Sequence, residues 1–279
     1  MIRDPIHPFT TTVDLLARHA DYGIDAPLTG LLPPAAGGLS LAALSAYHHR
    51  NGPQGLAIVE SVSSVSLLLT AALYLHATRR GKFEIWAELL KNRQLRGDEH
   101  CLDMGCGRGA VMAMLAKLVP RGYVIGLDLW RTEDQSGNNP EVTRRNLIAE
   151  GVAERCEVKT GDMLMMPFQD NTFDLVVSSL AIHNIDERDL RNHARRLQAV
   201  SEAARVLKPG GCLLIADLLW IRRYAQHLRQ LGMHNVEHRS LGWRFWYAPF
   251  LGADLVSATK PPALCTAEPK RSCSLEPHR

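Results

Sequence analysis

The sequence predicts an α/β fold: a Rossmann-like, doubly wound sheet of seven strands, mostly parallel, with an antiparallel strand at one edge and a hydrophobic helical segment ahead of it. Three observations carry this. Short apolar runs alternate with helical stretches from His100 to Lys260. A glycine-rich turn follows the first run. Two long stretches before residue 80 carry no charge.

The uncharged stretches come first in the chain. "APLTGLLPPAAGGLSLAALSAY" (26–47) and "SVSSVSLLLTAALYLHAT" (61–78) are each close to the ~20 residues that cross a bilayer. Basic residues follow both, Arg50 and then Arg79, Arg80 and Lys82. Cytoplasmic loops collect such residues, so the pattern places the rest of the chain at the cytoplasmic face of the membrane. Residues 1–82 are therefore expected to form a hydrophobic region with two membrane helices, at about 27–47 and 56–78. Pro33, Pro34, Gly37 and Gly38 interrupt the first stretch, and Glu60 with four serines dilutes the second. A cap packed on a soluble cytoplasmic domain is the alternative reading. The opening residues lack the apolar core of a signal peptide.

Residues 83–260 are expected to form the catalytic domain. "CLDMG", "YVIGLD", "CEVKTGD", "FDLVVSSLAIH" and "GGCLLIADL" read as buried strands, with helical patterns at about 109–119, 140–151, 187–206 and 221–232. That alternation argues for a parallel sheet covered on both faces. "VEHRSL" and "ADLVSATK" then follow with no long helix between them, which makes an antiparallel pair. Residues 261–279, rich in proline and charge, read as a disordered tail.

Composition narrows the function. The net charge of +3 is too small to argue for nucleic acid. Six cysteines are scattered without C-x-x-C spacing, and no metal-ligand cluster is visible, so reduced thiols and no metal are expected.

The stretch "CLDMGCGRGAVMAML" (101–115) sets glycines at 105, 107 and 109 between a strand and a helix. In an open α/β sheet, ligands bind beyond the carboxyl ends of the strands, and a glycine turn there lets backbone approach a ligand at a helix N-terminus. Asp103 stands just before the glycines, where a carboxylate can accept from a ligand ammonium. Asp128 closes the second strand, where a carboxylate can accept from ribose hydroxyls. Asp162 closes the third, placed for an adenine amino group with Met163 beside the ring. Each has a plainer reading as a helix cap or turn residue. "GCGRGA" also fits the dinucleotide form G-x-G-x-x-A, and an NAD(P)-dependent oxidoreductase is the alternative function. The Tyr-x-x-x-Lys pair that would favour it is missing from the alternating region.

Taken in order, "LDMGCGRG", "VIGLDLW", "GDMLMMPF", "FDLVVSSLAIHNI" and "RVLKPGGCLLIADL" resemble the class I S-adenosylmethionine-dependent methyltransferases, in the branch of the ubiquinone and menaquinone methyltransferases. The resemblance spans about residues 83–260. The N-terminal stretches look like those of a bacterial subgroup with a membrane hairpin. The resemblance implies S-adenosylmethionine as cofactor. Asp103, Gly105, Gly107 and Gly109 would hold its methionine part, Asp128 the ribose, and Asp162 with Met163 the adenine, with Cys106 and Leu129 also among the cofactor-binding residues. Ser178 or Ser179, at the end of the fourth strand, would line the methionine and acceptor side. It also implies a small-molecule acceptor, hydrophobic or membrane-associated. His183, after the fourth strand, is the candidate base if that acceptor must lose a proton; a histidine packed on the sheet is the alternative. Trp130 falls by the ribose, over the acceptor mouth or on the sheet edge. Trp243, Phe245, Trp246 and Tyr247 form an aromatic loop suited to an acceptor wall, a dimer contact or a membrane interface.

Overall fold

Helix–helix contact in the N-terminal region is made by the very residues that interrupt its hydrophobicity. The computed structural model describes residues 13–185, 193–249 and 251–262; most of the expected tail, from residue 263, lies outside them. After an irregular strap (13–26) and a π-helical turn, α1 (Leu32–Asn51) carries Pro33 and Pro34 in its first turn, where a missing N–H loses no hydrogen bond. Gly52 and Pro53 break the helix, and α2 (Gln54–His76) returns antiparallel to it. Gly38 lets the two approach: a Cβ there would come within 2.8 Å of Leu68. Ser64 Oγ donates to the Gly38 carbonyl at 2.7 Å, Ser45 Oγ to the Ala57 carbonyl at 2.8 Å, and His48 Nδ1 lies 2.8 Å from the Glu60 carboxylate. The polar atoms thus face the partner helix, and the apolar ones face out: Leu39, Val59, Val62 and Val65 are all more than 60% exposed. By length and composition both helices could cross a membrane. A second π-helical turn leads into α3 (Lys82–Lys91).

The alternating region follows as β1 (His100–Met104), α4 (Ala110–Leu118), β2 (Tyr123–Asp128), α5 (Pro140–Ala149), β3 (Cys156–Thr160), β4 (Phe173–Ser179), α6 (Ala194–Val206), β5 (Leu207–Asp217), α7 (Ile221–Gln230) and β6 (His234–Ser240). A short ribbon, β7 (Trp246–Ala248) with β8 (Leu251–Gly252), precedes β9 (Asp254–Thr259). The seven-stranded sheet has the order β3-β2-β1-β4-β5-β9-β6, parallel except for β9. The antiparallel strand expected at the edge is therefore one place inside it: β9 inserts between β5 and β6, and β6 forms the edge.

Strands buried on both faces need apolar residues throughout, and β4 shows how they divide. Leu175 and Val177 join the cluster with Trp86, Met112 and Leu115 from α3 and α4; Val176 joins the opposite cluster with Ala199, Val200 and Tyr224 from α6 and α7. The first cluster also takes in Leu15, Tyr22 and Tyr74. The apolar core thus runs across residue 82, and the base of the hairpin packs on the sheet domain while its outer part stays exposed. The base packs on the domain as the cap reading expects, and the outer part is long and apolar enough to cross a membrane.

Strand order reverses direction between β1 and β4, so the chain leaves these two strands toward opposite sides and a crevice opens at their carboxyl ends. The strap is tied over that crevice by Asp25. Its carboxylate accepts from Lys82 Nζ at 2.8 and 3.0 Å, Thr78 Oγ1 at 2.9 Å, Tyr247 OH at 2.9 Å and Gln135 Nε2 at 3.2 Å, while Tyr74 OH donates to its backbone carbonyl at 2.6 Å. Removing one member of a buried ion pair strands the other, so Asp25→Ala should cost on the order of 3 kcal/mol by denaturant unfolding of the full chain. Adding Lys82→Met to that variant should recover part of the loss.

Candidate active site

Backbone geometry explains each glycine of the turn after β1. Gly105, Gly107 and Gly109 have φ of +77°, +50° and +83°, a region that side chains with a Cβ rarely adopt. A Cβ on Gly105 would also fall 2.2 Å from Ala181 Cβ. The turn is held from beneath: Gly105 N donates to the Leu127 carbonyl at 2.8 Å, Gly107 N to Asp128 Oδ2 at 2.8 Å, and Arg108 N to Gln135 Oε1 at 2.8 Å.

A cavity of about 670 Å³ lies above it. Asp103, Gly105, Cys106 and Gly107 form one side; Asp128, Leu129, Asp162 and Met163 form the next; Ser179 and His183 close it from the end of β4. Two expected residues are not at this wall. Gly109 starts α4 and lies against Thr143, where a Cβ would sit 3.0 Å from a methyl carbon, so its glycine serves the packing of α4 on α5. Ser178 is buried, with its Oγ donating to the Met104 carbonyl at 2.8 Å. Successive strand residues face opposite sides, so only Ser179 reaches the cavity; its Oγ accepts from Trp86 Nε1 at 2.8 Å. Trp130 also lies off this wall, its Nε1 donating to Thr160 Oγ1 on β3 at 2.8 Å. Of the aromatic loop, Tyr247 lines the cavity and Trp243 is 59% exposed, stacked on His76.

The acidic strand ends differ in what they have left to give. Asp128 already accepts from Gly107 N, from Trp130 N at 2.6 Å and from Asn138 Nδ2 at 3.3 Å. A carboxylate offers about four acceptor positions, so a ligand hydroxyl pair at Asp128 must displace one of these donors. Asp162 spends Oδ1 on Leu164 N at 2.9 Å. Asp103 is the opposite case. It is 1% exposed, and neither carboxylate oxygen has a hydrogen-bond partner among the described residues. Burial pushes its carboxyl up to about 7, which makes it a strong acceptor for any cation that enters the cavity.

His183 is held by a second buried carboxylate. Asp217, fully buried at the end of β5, accepts from His183 N at 3.0 Å and Leu218 N at 2.8 Å, and its Oδ1 contacts His183 Nδ1. A carboxylate at Nδ1 favours the tautomer with the proton there and makes Nε2 the basic nitrogen. Asp217 went unread in the sequence, although it closes an apolar strand just as Asp128 does. Asp25, Lys82 and Trp86, also at the wall, had no local signal, because the strap and α3 are brought to the cavity by tertiary packing alone.

Residues 102–215 match the family profile described as a methyltransferase domain. Among curated proteins, the chain is 30% identical over 149 residues to the sterol 4-C-methyltransferase strm-1 of Caenorhabditis elegans, covering 52% of this chain and 39% of that protein. It is 34% identical over 133 residues to the demethylmenaquinone methyltransferase of Symbiobacterium thermophilum, covering 47% of each. It is 32% identical over 138 residues to the ubiquinone/menaquinone biosynthesis C-methyltransferase UbiE of Ruegeria sp., covering 49% of this chain and 50% of that one. The matched region thus spans half or less of these relatives' length. Among solved structures, a SAM-dependent methyltransferase from Aquifex aeolicus aligns with a TM-score of 0.51 at 20% identity, over 68% of this chain and 97% of that one. The [4+2]-cyclase SpnF aligns with a TM-score of 0.52 at 17% identity, over 64% and 82%. These two structures speak for the fold alone.

Asp103 generates a pH dependence with a definite sign. Its folded-state carboxyl titrates at about 7 against an ordinary 3.8. Between those values the folded chain holds a proton that the unfolded chain has shed, so the ligand-free protein should lose stability as pH rises from about 4 to about 7 and level off above. Denaturant melts across that range should show the slope, and Asp103→Asn should flatten it.

Proposed function

We propose that this chain, which carries a class I S-adenosylmethionine-dependent methyltransferase domain of the ubiquinone/menaquinone C-methyltransferase-like branch, transfers a methyl group to a small hydrophobic acceptor at the cytoplasmic face of a membrane. The observation that carries the reading is the continuity of the cavity. One space joins the glycine turn and the unpartnered Asp103 to His183 and on to the base of the hydrophobic hairpin.

The residues present fit the cofactor. Asp103 offers a buried, unpaired carboxylate to an ammonium, and the conformations of Gly105 and Gly107 leave the turn without side chains beside it. Asp128 and Leu129 would flank the ribose, Asp162 and Met163 the adenine, with Cys106 beneath and Ser179 at the methionine end. The cofactor supplies an electrophilic methyl group on a sulfonium. What remains for the chain is to align acceptor and methyl, exclude water and take a proton where the acceptor is acidic. His183 is placed for the last task, with Asp217 positioning its ring. The profile match and the curated relatives are methyltransferases, and nothing among them supports the oxidoreductase alternative.

Membrane association is the finer part of the proposal. It is supported by two apolar helices with outward Leu and Val side chains, inward polar contacts and Arg79, Arg80 and Lys82 at their base. Such burial is not screened by salt, so the full chain should stay with membranes through a high-salt wash and require detergent for release.

The central test is calorimetry with S-adenosylmethionine, S-adenosylhomocysteine and NAD. Binding of the first two and not the third is expected; the reverse preference would end the reading. Methyl transfer from labelled S-adenosylmethionine should then appear in membrane extracts and not in cytosolic ones. With the acceptor in hand, His183→Ala should lower kcat by about 10²–10⁴ where a proton must be removed, with cofactor affinity unchanged. Asp217→Asn should lower kcat less and shift its pH profile, as a positioning residue does.

A further inference from the structure

The cavity is lined by exposed residues of opposite chemistry at two places. At one, Arg131 and Glu133 line it and are exposed. At the other, Pro33 in the first turn of α1 lines it and is exposed, and Pro34, Leu67 and Thr70 complete the wall. This second wall offers almost nothing polar. Its three hydroxyls donate within the chain: Thr70 Oγ1 to the Ser66 carbonyl at 2.9 Å, Thr29 Oγ1 to the Ala26 carbonyl at 3.4 Å and Tyr74 OH to the Asp25 carbonyl. Its outer rim is apolar too: Leu28, Leu32 and Leu69 are 75%, 52% and 53% exposed. Farther along the hairpin the helices close. Leu67, a wall residue, meets Gly37 on its other side, where a Cβ would lie 3.3 Å from Leu67 Cδ1. Next to the cavity wall at Leu67 the two helices are thus in contact at Gly37, and Pro33 is an exposed member of the same wall.

We propose that this interhelical end is a subsite for the apolar chain of a lipid acceptor, and that Pro33 and Leu67 frame a lateral port through which the chain stays in the bilayer while the head reaches His183. The inference rests on the membrane-bound methyltransferase reading and says where the acceptor comes from. Cofactor, a charged and water-soluble molecule, uses the port at Arg131 and Glu133. The acceptor uses the port that faces lipid. Neither has to cross the environment that excludes it. A wall whose hydroxyl protons are already donated within the chain offers a polar headgroup little to bind, but it can hold a chain without leaving a buried donor unpaired. The three carboxylates Asp103, Asp128 and Asp162 stand at the other half of the cavity, so an acceptor entering there would displace the cofactor's own partners.

The test uses the full chain in phosphatidylcholine nanodiscs with S-adenosylmethionine. The probe is a hydroquinone bearing a hexadecyl chain with a diazirine at mid-chain, photoactivated and mapped by peptide mass spectrometry. Labels are expected on residues 33–34 and 67–70. Leu67→Trp fills the space between the helices and should reduce those labels by on the order of tenfold, with cofactor affinity unchanged. Thr70→Phe should do the same, and calorimetric cofactor binding reports whether each variant is folded. Should neither variant fold, the label map of the unaltered chain decides. Labels confined to the outer faces at Val59, Val62 and Val65, or an unaltered map in a folded Leu67→Trp, would overturn the port while the methyltransferase reading stands. Absence of cofactor binding to the unaltered chain would overturn both.

Discussion

One carboxylate, Asp25, joins the hydrophobic hairpin to the sheet. It draws Lys82 and Thr78 from the end of the long helical hairpin, Tyr247 from the ribbon before β9 and Gln135 from the loop after β2. Gln135 in turn accepts from Arg108 N in the glycine turn. A polar residue from the strap thus fixes the distance between the cofactor-side turn and the base of the hairpin. Low local dielectric makes such a cluster strong when every member is satisfied and costly when one is missing. The earlier part of the strap is held separately, by Glu150 accepting from His19 N, Ala20 N and Tyr22 OH and by Arg108 Nη2 donating to the Asp21 carbonyl, so Asp25 governs the end of the strap that lines the cavity.

The carboxylates around the cavity divide into those the protein has satisfied and one it has not. Asp25, Asp128 and Asp217 each accept from three or more donors of the chain. They hold other groups in place: a strap, a glycine turn, a histidine ring. Asp103 has no well-formed hydrogen bond among the described residues, and burial, opposed only in part by Met112 N–H, pushes its carboxyl up. A protein does not bury an unpaired carboxylate for stability. A cation entering the cavity would offset the cost of burying its charge, which is why Asp103 is the candidate partner for the cofactor's ammonium in the proposed function.

Much of this was legible in the chain, and the exceptions share a cause. Strands with continuous apolar runs, and a turn that gives up its side chains at Gly105, Gly107 and Gly109, are local features, so the sheet and the residues above its carboxyl ends could be read directly. Ser178 and Ser179 could not be separated, because their faces depend on the strand's register in the sheet. Gly109 was grouped with its neighbours by spacing; it shares their positive φ, but it faces Thr143 on α5 and does not line the cavity. The position of β9 inside β6 was invisible, since sequence order does not give spatial order for two strands joined without a crossover. The contributions of Asp25, Lys82 and Trp86 were hidden for a related reason: the strap and α3 read as part of an N-terminal region, and only packing brings them to the site. Gly37, Gly38, Glu60 and Ser64 read as flaws in a membrane helix, and they are its interhelical contacts.

The fold itself leaves the reaction open. A cyclase and a methyltransferase both align with this sheet, and function resides in what is mounted on it. Here two additions narrow the chemistry. At the end of β4, a buried Asp217 fixes the orientation of the His183 ring, the base of the proposed function. At the other side of the same space, the hairpin supplies apolar walls and an outward apolar surface. A base without the hairpin would suit a small polar acceptor; a hairpin without the base would suit passive lipid binding. Because Trp86 of α3 bonds Ser179 at the end of β4, the helix that continues the hairpin is also fastened to the strand that carries the base. The position of the hairpin and that of His183 are thereby linked through one hydrogen bond between α3 and β4, the coupling that the proposed reaction on a lipid acceptor would need.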